Sequence, residues 1–130
     1  MATVEDFLNL SMDERRADAE TCIQKRGDDH CPVIVYTKNK SAPKATKYKY
    51  AIGGDAQVGH LIAAVRSKIP DLDAATALFV FIKKPDGEFV LTTSTSTVRE
   101  VYDEYAHEDK FLHMVYMLEN TFGFNQSVDV

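Results

Sequence analysis

The chain has 130 residues, 45% of them hydrophobic and 27% charged, a composition typical of a single globular domain with its own core. Its net charge of −5 argues against nucleic-acid binding, since such proteins carry a basic surface. No apolar run approaches the roughly 20 residues of a membrane-spanning helix, and the first residues lack the pattern of a signal peptide. Because two cysteines are too few for a disulfide framework, we expect a cytoplasmic protein with free thiols.

Two helices are predicted at the start of the chain. Residues 3–10 form a short apolar and acidic stretch of one or two helical turns. Ser11 and Glu14 then have the spacing of a capping box, and Gly27 follows two basic residues as a stop signal. Because the apolar stripe of this second helix is thin, we expect the helix to pack on a core that other elements build.

The apolar residues then follow the period of strands. Residues 32–37 predict a buried strand. Residues 47–52 predict a half-buried strand with Tyr48, Tyr50 and Ile52 on one face. The polar residues between the two strands predict a hairpin with a long connection.

A helix with a broad apolar face is predicted over residues 58–69. Asp55 is its expected N-cap and Pro70 its expected stop. The preceding pair, Gly53 and Gly54, superficially suggests a phosphate-binding loop. Since neither a P-loop lysine nor a dinucleotide fingerprint follows, the pair predicts a turn instead.

The last third of the chain predicts two strands, a helix and a final strand. Residues 78–82 and 88–91 flank a turn, Thr97 and Glu100 begin a helix with a second capping box, and residues 111–117 form the last strand. Two antiparallel strands, a crossover helix and a returning strand can form one mixed sheet. The predicted fold class is therefore α+β, a ubiquitin-like β-grasp with a mixed sheet and two additional N-terminal helices.

Catalytic and metal-binding patterns are weak in this sequence. His30 and Cys31 are neighbours, and adjacent side chains rarely meet as base and nucleophile. Cys22 and Cys31 are expected to have structural roles, and His113 is expected to be a packing or edge residue of the last strand. The histidines lack metal-ligand spacing with the cysteines. We therefore predict neither an enzyme nor a cofactor or metal site, and a cysteine hydrolase based on Cys31 is the weakest alternative.

A run of lysines between the first two strands has two interpretations. One is a solvated hairpin whose lysines protect an edge strand from aggregation. The other is a basic rim beside an exposed edge, where an extended peptide with acidic residues adds a strand. The run consists of Lys38, Lys40, Lys44, Lys47 and Lys49, with no acidic residue among them.

The end of the chain carries a specific motif, ENTFG at residues 119–123, directly after the last predicted strand. With this motif the chain resembles the autophagy-related protein 8 family, the ubiquitin-like modifiers that include GABARAP. The resemblance covers residues 5–123, including the two N-terminal helices that ubiquitin lacks. Other stretches agree in the same order: PVI at 32–34, KYKY at 47–50 with the Asp-x-x-Val-Gly of 55–59, and FVFI at 79–82.

The resemblance implies a precursor that is processed and joined to a lipid. A cysteine protease would cut after Gly123, which lies between Phe122 and Phe124. An ATP-dependent activating enzyme and a conjugating enzyme would then join Gly123 to the amine of phosphatidylethanolamine. The protein would be cytoplasmic before this step and bound to autophagosomal or other vesicle membranes after it. The implied organisation is a helical extension over 1–28, a β-grasp core over 29–123 and a discarded tail over 124–130.

Two alternative functions remain open at this point. The same glycine chemistry could join Gly123 to protein lysines instead of a lipid. The chain could also be a noncovalent β-grasp adaptor whose glycine is never used.

The resemblance further implies a groove for adaptor and cargo-receptor peptides of the form aromatic-x-x-aliphatic, beside the strand over residues 49–52. The aromatic pocket maps to Ile23, Pro32, Ile34, Lys49, Ala51 and Phe111. The aliphatic pocket maps to Tyr50, Ile52, Gly53, Ala56, Leu61 and Ala64. The basic rim for acidic flanks maps to Lys47, Lys49 and Lys68.

Several positions depart from the family pattern. Ala19 replaces an acidic residue, Ala51 a larger aliphatic residue and Gly53 a proline, while His30 and Lys68 replace arginines. Smaller side chains in the walls should enlarge the pockets. Peptide binding should then lose about 0.8 kcal/mol of free energy per missing buried methylene. Lysine also cannot reproduce the bidentate fork of arginine. We therefore expect an altered peptide preference.

Overall fold

The computed structural model describes residues 3–39, 42–91 and 93–118. Its helices are α1 (Val4–Leu8), α2 (Met12–Arg26), α3 (Val58–Ser67) and α4 (Val98–Tyr105). Its strands are β1 (His30–Tyr36), β2 (Lys49–Gly53), β3 (Leu78–Lys83), β4 (Phe89–Leu91) and β5 (Leu112–Leu118). These elements follow one another in the order that the sequence predicts. Over the described ranges, no helix is long and apolar enough to cross a bilayer.

The strands form one mixed sheet in the order β2-β1-β5-β3-β4. β1 pairs antiparallel with β2 and parallel with β5, and β3 pairs antiparallel with β4 and β5. The first and last strands therefore lie side by side in the middle, and within the described chain β2 and β4 form the edges. This arrangement confirms the predicted α+β β-grasp.

Apolar side chains cover both faces of the sheet. On the inner face, Leu61 and Val65 of α3 and Val101 of α4 are buried against the strands. On the outer face, α1 and α2 pack on the part of the sheet formed by β1 and β5. The cluster on the outer face consists of Phe7, Ala19, Ile34, Tyr36, Phe111 and Val115, with Val4, Leu8 and Tyr48 at its margin.

Helices α1, α2 and α4 each begin with a capping box, which satisfies backbone N–H groups that the helix leaves unpaired. The boxes beginning at Ser11 and Thr97 are confirmed, and a third begins at Thr3. Gly27 ends α2 as predicted, with a positive φ of 114° that disfavours residues bearing a Cβ. Local sequence signals therefore determine where these helices begin.

The first residue of α3, Val58, is as predicted, but its predicted N-cap is wrong and the helix is two residues shorter than the predicted range of 58–69. Its N-cap is Gln57 rather than Asp55, and the Gln57 side chain makes no capping hydrogen bond. The first turn is held instead by the loop before α4, since the N–H of Val58 donates to the carbonyl of Ser96 at 2.8 Å. The helix ends at Ser67, before Pro70 is reached.

The start of β2 differs from the prediction and changes the position of one tyrosine. The strand begins at Lys49, and Tyr50 and Ile52 pack on the inner face. Tyr48 packs with the outer-face cluster instead. Because the alternation of side chains applies only within a strand, the predicted shared face is wrong for Tyr48, which precedes the strand.

The glycine pair forms the predicted turn. Gly53 ends β2, and the N–H of Gly54 donates to the carbonyl of Asp29 at 2.7 Å. A Cβ on Gly54 would lie 3.0 Å from the Cβ of Arg99. The close approach of α4 therefore requires glycine at position 54, whereas a Cβ on Gly53 would meet nothing within 4 Å.

Candidate functional site

Strand β2 presents an open backbone edge beside α2 and α3. The N–H of Val35 donates to the carbonyl of Tyr48 at 2.8 Å, and bonded pairs alternate with non-bonded pairs along an antiparallel ladder. Lys49 and Ala51 therefore occupy non-bonded positions, so their N–H and C=O groups point away from β1. Pro32, which has no N–H, lies opposite Ala51 at such a position and costs the ladder no bond. An extended peptide can bond to this edge.

The residues predicted for the aromatic pocket lie on the outer face of the sheet. The β1–β2 register places Pro32 opposite Ala51 and Ile34 opposite Lys49. Ile34 and Phe111 pack together in the outer-face cluster, and both are completely buried. These two residues therefore form a covered floor rather than an open wall.

Phe7 of α1 covers part of this floor. Its ring packs edge-to-face on Phe111 at 5.1 Å between centroids, and the Lys49 ammonium lies 5.8 Å from the centroid of the Phe7 ring. Phe7 itself is only 3% exposed. Ile23, on α2, is half-buried. An incoming aromatic side chain can reach Phe111 only after Phe7 has moved, because Phe111 has no exposed surface.

The ammonium of Lys49 already has an acidic partner. Asp18 of α2 accepts a hydrogen bond from Lys49 Nζ at 2.6 Å, and both side chains are about one-third exposed or less. Neither Asp18 nor Phe7 was predicted as a site residue, since neither belongs to the family motif. Their positions on α1 and α2 beside β2 become evident only in the folded chain.

The residues predicted for the aliphatic pocket lie between β2 and α3. The inner-face core contains Tyr50 and Leu61 as buried members and Ile52, Ala56 and Ala64 as partly buried neighbours. Gly53 has open space around its α-carbon. The pocket therefore has one unfilled position, at Gly53, where the family pattern has a larger residue.

Tyr50 has unusual surroundings for a buried tyrosine. Its hydroxyl is buried without a hydrogen-bond partner in the described part of the chain. Burial raises the pKa of Tyr50, and the Lys47 ammonium lies 4.7 Å from the centroid of its ring. The hydroxyl therefore remains neutral, and it can act as a donor or an acceptor.

The lysine run does not form one continuous rim. Only Lys47 and Lys49 lie at β2, whereas Lys44 pairs with Glu5 at 3.6 Å. Lys68, the C-cap of α3, lies near the start of β2, since its carbonyl accepts the N–H of Thr46 at 2.7 Å. Two further members of the run lie elsewhere: Lys38 beyond β1, and Lys40 outside the described residues.

The geometry does not favour catalysis at Cys31. Cys31 is buried in the inner-face core, and burial raises the pKa of its thiol and disfavours the reactive thiolate. The ring of the adjacent His30 bonds to Asp29 at 3.0 Å. No group of three or more metal-ligating side chains occurs in the described ranges. His113 is a buried packing residue of the central strand β5.

The residues predicted for processing and conjugation, Phe122, Gly123 and Phe124, lie outside the described residues. The last described residue, Leu118, is the buried end of β5. The position of the ENTFG motif directly after this strand agrees with the predicted element order.

This fold, with an open edge strand between two helices, defines a ubiquitin-like protein. A family model described as "Autophagy protein Atg8 ubiquitin like" matches residues 14–123. The chain is 38% identical over 111 residues to autophagy-related protein 8c of Arabidopsis thaliana, covering 85% of this chain and 88% of that protein. It is 32% identical over 118 residues to autophagy-related protein 8 of Scheffersomyces stipitis, covering 90% of this chain and 81% of that protein. The chain belongs to the Atg8 family of ubiquitin-like autophagy proteins.

Solved structures agree with this assignment. The crystal structure of Trypanosoma brucei ATG8 superposes with a TM-score of 0.73 at 26% identity, covering 89% of this chain and 95% of that one. Plasmodium falciparum Atg8, solved in complex with a Plasmodium falciparum Atg3 peptide, superposes with a TM-score of 0.70. The second match covers 90% and 96% of the two chains at 18% identity, and it supports the fold alone.

Proposed function

We propose that the chain is a lipid-conjugated modifier of autophagy whose carboxyl group is that of Gly123. The observation that carries this proposal is the end of the family match, which falls on residue 123 and leaves residues 124–130 outside it. A processing cysteine protease removes this tail, and an ATP-dependent activating enzyme and a conjugating enzyme transfer Gly123 to phosphatidylethanolamine. The protein then moves from the cytoplasm to autophagosomal or other vesicle membranes.

The chemistry of this transfer is compatible with the position of Gly123. A residue without Cβ lets the backbone lie extended in a narrow enzyme cleft. The carbonyl must also be reachable by an external nucleophile, and chain termini are the segments where this is easiest. The conjugating enzyme is proposed from membership of the Atg8 family, which the match over residues 14–123 shows.

Cell fractionation tests this proposal. The wild-type chain should appear partly in the membrane fraction with a shifted electrophoretic mobility, and Gly123→Ala should lose both. A chain ending at Gly123 should reach membranes without the protease. Membrane association and mobility shift that survive Gly123→Ala would contradict the proposal.

We further propose that the edge of β2 and its two pockets bind aromatic-x-x-aliphatic peptides of adaptors and cargo receptors. The open N–H and C=O groups of Lys49 and Ala51 support this proposal. An acidic residue beside the peptide motif would pair with Lys49 and displace Asp18, which holds that ammonium at 2.6 Å in the free protein. The Asp18 contact therefore lowers the affinity for such peptides.

A charge-matched pair of variants tests this competition. Asp18→Asn frees Lys49 and should tighten the binding of an acidic-flanked peptide severalfold, measured by isothermal titration calorimetry. Glu20→Gln removes the same charge from the same helix but interrupts a different pair, with Lys110 at 2.8 Å, and should change the affinity little. In a Lys49→Gln background the effect of Asp18→Asn should disappear. Equal effects of the two charge removals would refute this role of Asp18.

A further inference from the structure

A polar cavity lies on the outer face of the sheet, away from the peptide groove proposed at the edge of β2. It has a volume of about 310 Å³ and lies where the ends of β1 and β3 meet α2 and the loop after α4. Its polar and aromatic lining consists of Arg15, Tyr36, Lys38, Lys83, His107 and His113. Neither the family motif nor the peptide groove includes any of these residues.

The positive charge of this cavity is not balanced. Asp109 is fully buried beneath it and is already committed, because it pairs with Arg15 Nε at 3.1 Å and accepts from His113 Nε2 at 2.9 Å. Within the described chain, neither Lys38 nor Lys83 forms an ion pair with a carboxylate. Among the described residues, one carboxylate, that of Asp109, is therefore set against three basic side chains, those of Arg15, Lys38 and Lys83.

Both lysines line the same cavity. Burial lowers the pKa of Lys83, and the neighbouring charge of Lys38 lowers it further. Lys38 also lies 5.7 Å from the centroid of the Phe89 ring, a contact that restrains its position. Two ammonium groups that line one cavity repel each other, and an anion between them relieves this repulsion.

The histidines form a fixed wall of the cavity. Their rings stack at 4.0 Å between centroids with an angle of 19° between planes. Nε2 of His107 donates to the carbonyl of Lys83 at 2.7 Å, and Nε2 of His113 donates to Asp109, since carbonyl and carboxylate oxygens only accept. The wall is therefore anchored to both β3 and the buried carboxylate, so the cavity is formed in advance.

We propose that this cavity binds a phosphate group, which Lys38 and Lys83 hold as charge-assisted hydrogen-bond donors. A small oxyanion fits the volume and relieves the repulsion between the two ammonium groups. The ligand is either a soluble phosphorylated compound or the headgroup of a phosphorylated lipid, since both present the same chemistry. The site is independent of Gly123, so its test and that of the conjugation proposal can fail separately.

Titration of the full chain with inorganic pyrophosphate at constant ionic strength tests the site. Calorimetry should show saturable binding, and NMR should show shifts of the His107 and His113 ring signals but not of the exposed His60. Lys38→Gln and Lys83→Gln should each weaken binding about tenfold, the loss of one charge-assisted hydrogen bond. Lys44→Gln changes a lysine of the same run that lies outside the cavity, and it should leave the affinity for pyrophosphate unchanged. Absence of saturable binding, or an equal loss in Lys44→Gln, would overturn the proposal.

Vesicles distinguish the two sources of the ligand. If the ligand is a lipid headgroup, the unconjugated chain should bind phosphatidylcholine vesicles containing phosphatidic acid, and Lys38→Gln should abolish this binding. If the ligand is soluble, the chain should bind pyrophosphate but should bind neither the vesicles containing phosphatidic acid nor vesicles of phosphatidylcholine alone. Because Lys38 is exposed, Lys38→Gln should retain the thermal unfolding profile of the wild type, which separates loss of the site from loss of the fold.

Discussion

At the scale of single residues, the most consequential side chain is Asp109. Burial opposes its ionisation, but hydrogen bonds from His113 and from the backbone N–H of Phe111, with the charge of Arg15, lower its pKa below the usual value. Asp109 thereby fastens α2 to the start of β5. The buried carboxylate is stable as an anion only while its two hydrogen bonds and its ion pair with Arg15 are present.

The pH dependence of stability should reflect His107. Burial lowers its pKa, so the unfolded chain takes up a proton at higher pH than the folded chain does. The free energy of unfolding should therefore fall as the pH drops below the usual histidine value of about 6.5. Asp109 affects stability at lower pH than His107 does, because the stabilisation that its ionised form provides is lost as the pH falls through its depressed pKa.

Urea unfolding between pH 5 and 8 measures this dependence. His107→Gln retains a donor for the Lys83 carbonyl but cannot titrate, so its stability should fall less on acidification than that of the wild type. His60→Gln changes a histidine on the surface of α3 and should retain the wild-type slope of the free energy of unfolding against pH. A His107→Gln slope equal to that of His60→Gln would contradict the assignment.

The two adjacent glycines should respond in opposite ways to a methyl group. In Gly54→Ala the new Cβ would lie 3.0 Å from the Cβ of Arg99 and 3.1 Å from the carbonyl of Asp29. We expect a loss of about 2 kcal/mol in the free energy of unfolding, typical of overpacking. Gly53→Ala meets open space and should be neutral or stabilising by about 0.5 kcal/mol. Thermal or urea unfolding distinguishes the two, and equal stabilities would contradict the packing account.

Residue-level features were predicted unevenly from the sequence. The capping boxes at Ser11 and Thr97 were predictable because donor and acceptor lie three residues apart. The contacts of Phe7 with Phe111 and of Asp18 with Lys49 were not, since each joins residues far apart in the chain. The peptide pockets remain an inference from resemblance. The residue that covers the aromatic pocket, Phe7, and the residue that competes for Lys49, Asp18, are brought to these positions by tertiary packing.

At the scale of elements, β2 combines an open edge with a fixed register. The Pro32–Ala51 pair occupies a non-bonded position, so β1 tolerates proline there without losing a bond to β2. The edge character of β2 was anticipated from its lysines. The N-cap of α3 was predicted wrongly, because the carbonyl of Ser96, from a distant loop, accepts the N–H of Val58 in place of a capping side chain.

Two substitutions at Ala51 test strand addition. Ala51→Pro removes an outward N–H without breaking a bond to β1, so the chain should fold but bind the aromatic-x-x-aliphatic peptide about tenfold more weakly. Ala51→Val keeps the N–H and enlarges the pocket wall, so its affinity should equal or exceed that of the wild type. Calorimetry with circular dichroism as the folding control provides the measurement. Equal peptide affinities of the two variants would exclude hydrogen bonding at this position.

At the scale of the whole molecule, the sheet is covered differently on its two faces. The inner face is closed by α3 and α4, whereas α1 and α2 cover only part of the outer face, leaving Phe79, Phe89 and Leu91 exposed. The element order and the mixed sheet were predictable from periodicity, since period 2 and period 3.6 alternate clearly along the chain. The basic cavity was not, because its lining comes from separate elements that only the fold brings together.

The central claim is that Gly123 becomes the conjugated terminus, and the intact mass of the protein recovered from autophagy-competent cells tests it most directly. We expect the mass of residues 1–123 joined to phosphatidylethanolamine with the loss of one water. Recovery of only the full 14.6 kDa chain, or of Gly123 joined to a protein lysine, would contradict it.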